Sequence, residues 1–351
     1  MNLAPKVHFI LLLLTISCAK FNNLRTPANV DANIIDEQTV DSILKRAGSD
    51  TVQYLKTNET YHERFATIFK ESDEFGGYIG VGAEQNFHMM ASSKAGFAWL
   101  IDYNPKVSLL HLIYRAAFFD VTTPEEFTEI FSSEESMNKL ISKYYSDSKI
   151  INHLNEISKT NQKSLFENLK VLFIEKELRT FLSNSEDFIH VRDMFRNDQV
   201  KIISGLNNDP KLFKKIIGEA QEMDIKIKNV YLSNSHQISY IKSNMNGFQE
   251  SLKLLSEHSD PYFLLSRPPN DSVGGIMPEE LFMARTLKNA YKAKFDGVKV
   301  GDPYAYGSTS WQYHAIKSEK YYKNFKKYRP KLYIESCTNS ILSFIGNAFN
   351  R

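Results

Sequence analysis

The sequence predicts an α/β fold: a doubly wound, mostly parallel sheet of about seven strands that ends in an antiparallel hairpin and carries a helical insertion. Short apolar runs of strand length alternate with stretches of helical periodicity. The first run ends in a glycine-rich turn and the second in an acid, as in βαβ units. Hydrophobic residues make up 42% of the chain and aromatic residues 13%, enough to fill a large core.

The first 17 residues are typical of a signal peptide. Lys6 precedes an apolar run over residues 7–16, followed by Ser17 and Cys18. This run is about ten residues long, whereas roughly 20 are needed to span a bilayer as a helix. Thr-Ile-Ser-Cys resembles the lipobox of bacterial lipoproteins, although Thr15 replaces the usual leucine. The alternatives are an ordinary signal peptide, or a buried hydrophobic start with a cysteine there by chance.

The lipobox resemblance implies that Cys18 becomes the lipidated first residue of the mature chain. Residues 18–40 are then a polar tether, and residues 41–351 form the α/β domain. The expected partner is a lipid bilayer, reached through Cys18. The expected location is outside the cytoplasm on a bacterial membrane, with the outer membrane or cell surface favoured over the inner membrane.

Charge and cysteine content exclude several classes of protein. Lys6 is the one charged residue of the signal peptide, so 42 of the 43 Lys and Arg residues remain beside 41 Asp and Glu residues. This balance does not favour nucleic acid as a partner. The chain has 2 cysteines, so lipidation of Cys18 leaves Cys337 alone. A disulfide framework and a cysteine-rich metal site are therefore not expected.

The first half of the domain contains the clearest elements. Residues 41–72 have helical periodicity. Residues 76–82 predict a strand with a glycine turn, after which a helix begins near Asn86. Residues 96–102 predict the second strand. Asn104 then offers a helix N-cap, with Pro105 at the first helical position.

The second half returns to the same alternation after an insertion. Residues 120–195 predict helices without a convincing strand. Residues 200–204, 229–233 and 262–266 predict three further strands. The intervening helices are expected over residues 210–223, with Asp209 as the cap, over 236–255 and over 279–294. Residues 295–316 show two short alternating runs, typical of an antiparallel hairpin, and a basic, helical segment follows.

This order of elements resembles the class I S-adenosylmethionine-dependent methyltransferases over residues 76–316. The chain is also similar to a group of uncharacterised bacterial lipoproteins that share Gly-Val-Gly with Glu-Gln-Asn-Phe, the strand-end Asp102 and Tyr-Leu-Ser-Asn. The resemblance implies S-adenosylmethionine as the candidate cofactor. Gly80 and Gly82 match the turn where backbone approaches the cofactor, and Asp102 matches the acid that binds the ribose.

The resemblance also implies roles for residues after the third and fourth strands. Asn207, beside Asn208, matches the region that meets the adenine. Ser233 and Asn234 match the position at the end of the fourth strand where relatives orient a methyl acceptor. His236 follows at the predicted mouth of the sheet, where we expect Asn234 and His236 to orient or deprotonate an acceptor. The glycines and Asp102 have structural alternatives: a tight strand–helix turn for the glycines and a hydrogen bond at the start of a helix for Asp102.

The sequence departs from the methyltransferase pattern at the turn. Glu84 stands where a third glycine is usual, and Tyr78 stands where an acid is usual. The prolines of amino-methylating relatives are absent after the fourth strand. No zinc-binding, nucleophile-elbow or phosphate-loop motif occurs, so no metal is expected. His111 lies in an apolar helix, as a core histidine does.

The segment from Lys320 to Lys331 combines six basic and four aromatic side chains without an acid. Such a segment can bind an anionic envelope component or can be a solvated helix. Export conflicts with methyl transfer, because S-adenosylmethionine is kept in the cytoplasm. The sequence therefore predicts a membrane-anchored ligand- or envelope-binding lipoprotein on a methyltransferase-like scaffold, with an active S-adenosylmethionine-dependent methyltransferase as the alternative.

Overall fold

The structure is a computed structural model that describes residues 43–44, 55–56, 76–174, 180–233, 244–259, 261–267 and 312–317. All of them belong to one compact unit, residues 37–351. Outside the described residues lie the predicted signal peptide and tether, Cys18, most of the helical stretch 41–72, Asn234, His236, the helix expected over 279–294 and the segment from Lys320 to Lys331.

The described residues form six strands and eight helices. The strands are β1 (Gly77–Val81), β2 (Phe97–Asp102), β3 (Val200–Ser204), β4 (Ile227–Ser233), β5 (Tyr262–Arg267) and β6 (Gln312–Lys317). The helices are α1 (Gln85–Ser92), α2 (Pro105–Asp120), α3 (Pro124–Ile130), α4 (Glu134–Tyr144), α5 (Ser148–Ile174), α6 (Ser185–Arg196), α7 (Pro210–Glu222) and α8 (Met245–Ser259).

The strands form one sheet in the order β3-β2-β1-β4-β5-β6. Strands β1 to β5 pair in parallel, and β6 runs antiparallel to β5. This is the strand order of doubly wound nucleotide-binding folds, whose parallel strands are joined by helical crossovers. The prediction of an α/β fold with a parallel sheet is therefore confirmed.

Two details of the predicted sheet are wrong in the described part of the chain. The sheet has six strands there, not about seven, and it contains no antiparallel hairpin. Strand β6 pairs with β5, from Tyr262 opposite Lys317 to Arg267 opposite Gln312, and the other predicted arm of the hairpin lies outside the described residues. The reason is that alternation specifies an exposed strand face but not the partner strand, and the edge of β5 offers a full row of backbone groups.

Capping side chains start the helices at the expected positions. The Asn104 side chain accepts a hydrogen bond from the Lys106 backbone N at 3.0 Å, and Asp209 accepts one from Lys211 N at 3.0 Å. Both residues confirm predicted N-caps. Thr123 and Glu126 form a reciprocal capping box at the start of α3, which the sequence analysis missed.

The stretch predicted as a helical insertion holds α3, α4, α5 and most of α6, and its described part has no strand. The longest helix, α5, has 27 residues. Within the described part of the chain, no helix combines the length and the apolar character that crossing a membrane requires.

An aromatic cluster joins this insertion to the rest of the domain. The Phe87 ring, on α1, packs edge-on against His111, Tyr114, Phe118, Phe181 and Phe195, with ring centroids 5.2–5.8 Å apart. Phe87, Tyr114, Phe118 and Phe181 are fully buried. Edge-to-face aromatic pairs contribute about 0.5–1.5 kcal/mol each beyond the burial of their area. The cluster therefore fixes α1 against α2 and α6.

Three helices are followed by a residue in the left-handed conformation that is not a glycine. Lys94, Asp198 and Asp224 have φ of 48°, 55° and 55° and follow the C-caps of α1, α6 and α7. At each end the next backbone N–H returns to a carbonyl of the last turn, as in Ile225 N to Ala220 O at 2.8 Å. These are Schellman ends, where glycine is the residue with the least strain.

Replacing Asp224 with glycine should raise the free energy of unfolding by about 0.5–1 kcal/mol, because relief of left-handed strain exceeds the added entropy of the unfolded chain. Urea denaturation measures the change. The control Asp224→Ala keeps the Cβ and should not exceed the wild type in stability. A glycine variant less stable than the wild type contradicts the prediction.

Candidate functional site

The strand order places a switch point between β1 and β4, where the sheet changes winding direction. In such sheets ligands bind in the crevice beyond the carboxyl ends of the strands. Val81 pairs with Ile101, and Asp102 pairs with Ser204. Gly82, Asp102 and Ser204 therefore lie side by side at the carboxyl ends of β1, β2 and β3. Ser233 ends β4 beside this row, two residues after Tyr231, the partner of Gly80. The candidate site is this carboxyl edge.

Gly80 is required by the packing of its own strand. A Cβ atom there would overlap Asn86 Oδ1 and lie 2.6 Å from Tyr78 Cε1. The Tyr78 hydroxyl donates a hydrogen bond to Asn86 Oδ1 at 2.8 Å, and both side chains are fully buried. Tyr78, which stands in place of an acid, therefore helps to seat Asn86 over Gly80.

Asn86 is the organising side chain of the turn after β1. Its Nδ2 atom donates to the carbonyl oxygens of Gly82 at 2.9 Å and Ala83 at 3.0 Å, and it lies 3.3 Å from that of Val81. One amide thereby satisfies successive carbonyls that a buried turn would otherwise leave without partners. From the sequence, Asn86 was predicted only to lie near the start of a helix.

Gly82 has a positive φ of 96°, which only glycine adopts without strain. A Cβ atom there would overlap Gln85 Nε2. At both predicted cofactor glycines, the space beside the backbone is filled by side chains of this chain, Asn86 and Gln85. The two residues therefore do not fit a cofactor that needs bare backbone on that side.

Asp102 is buried at the end of β2, and its Oδ1 atom accepts a hydrogen bond from Asn104 N at 2.8 Å. Asn104 in turn caps α2. The carboxylate thus takes part in the turn that starts this helix, which is the structural alternative to a role in binding a ribose. The predicted contact of Asp102 with a ribose stays a prediction.

Asn207 and Asn208 are buried between β3 and α7. The Asn208 carbonyl accepts a hydrogen bond from Asn244 Nδ2 at 2.9 Å, which connects this loop to the residue before α8. The predicted contact of Asn207 with an adenine ring also stays a prediction. Asn234 and His236, predicted to meet a methyl acceptor, lie outside the described residues.

Ser233 differs from the other left-handed residues. Its φ is 51°, yet it ends a strand and not a helix, and the pairing of β4 with β5 shifts register between Tyr231 and Ser233. Its side chain is buried. A left-handed serine costs roughly 1–2 kcal/mol, which the surrounding structure must offset, and such strain clusters at functional sites.

A buried carboxylate lies next to the turn. Glu84 is fully buried, and its Oε1 atom accepts a hydrogen bond from Asn168 Nδ2, on α5 of the insertion, at 2.7 Å. Burial raises the pKa of the Tyr114 hydroxyl well above its usual value, and the charge of Glu84 raises it further. In the sequence, Glu84 stood out only as the residue in place of a third glycine; an acid directly beside the glycine turn was the signal that could have marked it.

His111 connects α2 to the same turn. Its Nε2 atom lies 2.8 Å from the Gly82 carbonyl oxygen, so Nε2 carries the proton and donates it in a hydrogen bond. Burial lowers the pKa of His111 from 6.5 to about 4, and the bond to Gly82 opposes this effect in part. His111 is thus a buried, neutral histidine that holds the turn. In the described residues, no three His, Cys, Asp or Glu side chains are grouped to hold a metal.

Substituting His111 with glutamine should make the free energy of unfolding depend less on pH between pH 6.5 and pH 4. The unfolded chain binds a proton below pH 6.5 and folded His111 binds it only near pH 4, so the wild-type free energy of unfolding falls across this window. The contribution reaches about 3 kcal/mol. Urea denaturation from neutral pH to pH 4 measures it. Equal slopes for the variant and the wild type contradict the assignment.

One family model matches the part of the chain that contains the turn after β1, the carboxyl ends of β1 to β4 and the insertion. No curated protein matches the chain. Residues 54–257, which include β1 to β4 and nearly all of α8, match a family described as a domain of unknown function (DUF7790). Because this match covers more than half of the chain, the protein belongs to the DUF7790 family.

Proposed function

We propose that this chain is a lipid-anchored, extracytoplasmic ligand-binding protein whose α/β domain retains a nucleotide-type scaffold without serving methyl transfer. The ligand binds at the carboxyl edge of the sheet, at the switch point between β1 and β4. The single observation that carries this proposal is the left-handed backbone of Ser233 at that point.

Ser233 supports a ligand site because its left-handed backbone lies at the register shift between β4 and β5, at the carboxyl end of a strand and not at the end of a helix. Of the non-glycine residues with positive φ in the described chain, Lys94, Asp198 and Asp224 are explained by helix ends. Ser233 lies instead where the parallel strands end and where doubly wound sheets bind ligands. Strained residues persist when the surrounding structure holds them, and they often aim a group at a ligand.

The filled turn argues against S-adenosylmethionine as the ligand. Asn86 and Gln85 occupy the space beside Gly80 and Gly82, and Asp102 is engaged at the start of α2. Methyl transfer by an S-adenosylmethionine-dependent enzyme is the alternative. The strand order and the acid at the end of β2 favour it, because doubly wound sheets bind nucleotides at these positions.

The proposed anchor is a lipid on Cys18, released from residues 1–17 by cleavage before the cysteine. The short apolar run over residues 7–16 and the sequence Thr-Ile-Ser-Cys support it. One acyl chain binds a membrane only weakly and two hold it stably, so the modified cysteine needs more than one chain. We propose an anionic envelope component as a second partner, bound by the segment from Lys320 to Lys331.

Calorimetric titration of S-adenosylmethionine and S-adenosylhomocysteine into the purified protein tests the proposed function, with Asp102→Ala as the matched variant. We expect no binding of either compound to a sample that is folded by circular dichroism. Native mass spectrometry of the same sample should reveal a small molecule that denaturation removes. Micromolar binding that Asp102→Ala abolishes would establish the alternative, and the absence of any bound molecule would count against a ligand site.

Replacing Cys18 with alanine should abolish incorporation of radiolabelled palmitate and move the protein from the membrane fraction to the soluble fraction or leave its precursor uncleaved. The physical reason is that the thiol is the attachment atom of the lipid. Cys337→Ala is the control and should keep both the label and the membrane location. Unchanged labelling of the Cys18 variant would rule out this anchor.

A further inference from the structure

Four buried polar side chains, one on α1 and three on α2, have an atom without a hydrogen-bond partner in the described structure. These atoms are Gln85 Oε1, Ser108 Oγ, His111 Nδ1 and the Tyr114 hydroxyl. The four side chains are at most 3% exposed. An unsatisfied buried polar group costs about 1–3 kcal/mol, so four on two helices that pack together call for an explanation.

Three of these side chains, Gln85, His111 and Tyr114, belong to or contact one short segment, residues 81–87. Gln85 Nε2 lies 3.4 Å from the Val81 carbonyl oxygen, and His111 Nε2 lies 2.8 Å from that of Gly82. Ser108, His111 and Tyr114 follow one another at three-residue spacing on α2, so they share one side of that helix. The rings of His111 and Tyr114 both pack against Phe87, two residues after Gln85.

The chemistry of these atoms selects a hydrogen-bond donor. Because His111 Nε2 donates to Gly82, its Nδ1 atom presents a lone pair and can only accept. Gln85 Oε1 is also an acceptor, and the two hydroxyls can accept as well as donate. Glu84, the residue before Gln85, adds a fully buried carboxyl group next to these acceptors, and Asn168 binds its Oε1 atom. A ligand group with several N–H donors and a positive charge matches this set.

We propose that Gln85, Ser108, His111 and Tyr114 form a binding site for a primary ammonium group. This inference rests on the proposed ligand-binding function and deepens it by naming the chemical class of the ligand. The acceptors of His111 and Gln85 take N–H donors, and the hydroxyls of Ser108 and Tyr114 complete the site. Asn168 on α5 holds Glu84 beside it, so the insertion forms part of the site.

Methylammonium is the probe, and tetramethylammonium is its control because it has the same charge and no N–H donor. We expect methylammonium, and not tetramethylammonium, to raise the melting temperature of the full-length protein in proportion to its occupancy. In the nitrogen NMR spectrum of the histidines, the His111 Nδ1 resonance should shift towards its hydrogen-bonded position as methylammonium is added. Equal effects of the two cations overturn the proposal.

Two pairs of variants separate binding from stability. Ser108→Ala and Tyr114→Phe remove hydroxyls that lack partners, so the melting temperature should stay the same or rise while methylammonium binding weakens about tenfold. Their controls are Ser251→Ala and Tyr145→Phe, which remove buried hydroxyls that donate to Gly247 O at 2.9 Å and Leu112 O at 2.7 Å. The controls should lower the melting temperature and keep binding.

The remaining outcomes distinguish this inference from the proposed function. A small molecule in the native mass spectrum without a methylammonium response leaves the ligand-binding function standing and overturns the ammonium site. A hydrogen-bonded Nδ1 resonance in a sample with no bound molecule assigns the site to ordered water and also overturns it. Unchanged methylammonium affinity in both Ser108→Ala and Tyr114→Phe has the same consequence.

Discussion

The packing of Phe87 is the interaction on which the rest of the structure depends. Its ring stands at the centre of a cluster contributed by α2, α6 and the segment before α6. Phe87 directly follows Asn86 on α1, so burial of the ring fixes the helix that carries the residues of the turn. Aromatic side chains combine large buried area with a preferred edge-on geometry, which makes such a cluster both stabilising and directional. The site at the sheet edge therefore takes its geometry from apolar packing beneath it.

The turn after β1 shows how a buried backbone segment is satisfied without a ligand. Asn86 binds its carbonyl groups, Tyr78 fixes Asn86, and His111 binds Gly82 from a second helix. This arrangement explains both glycines without reference to a cofactor. It also leaves Gln85 Oε1 and His111 Nδ1 without hydrogen-bond partners. The side chains that satisfy the backbone of the turn thus carry unsatisfied polar atoms themselves. A nucleotide-type scaffold can thus keep its glycine turn while its chemistry changes.

Local signals predicted most of the fold. Short apolar runs gave five parallel strands, and Asn104 and Asp209 gave helix starts, because these patterns depend on neighbouring residues. The partner of β6 was not predictable, since alternation does not encode which strand edge a segment joins. The residues of the candidate site were even harder to predict from the sequence. Glu84, Gln85 and His111 become meaningful only when α1, α2 and α5 meet around them, and their spacing in the sequence matches no motif. Asp102 was predicted from its position at the end of a strand. The hydrogen bond that it accepts from Asn104 N is a local contact at the start of α2 and does not indicate a ligand.

The hydrogen bond between Asn168 and Glu84 joins residues 84 positions apart. A second bond of this kind runs from Phe181 N to His88 Nδ1, across 93 positions. Contacts of such long sequence separation are slow to form, because the entropy of closing the loop opposes them until other contacts are made. Strands β1 and β2, by contrast, are separated only by α1, so their pairing closes a much shorter loop. The order of folding is thereby constrained: the surroundings of Glu84 and His88 are completed last, when the segments of the insertion dock against α1.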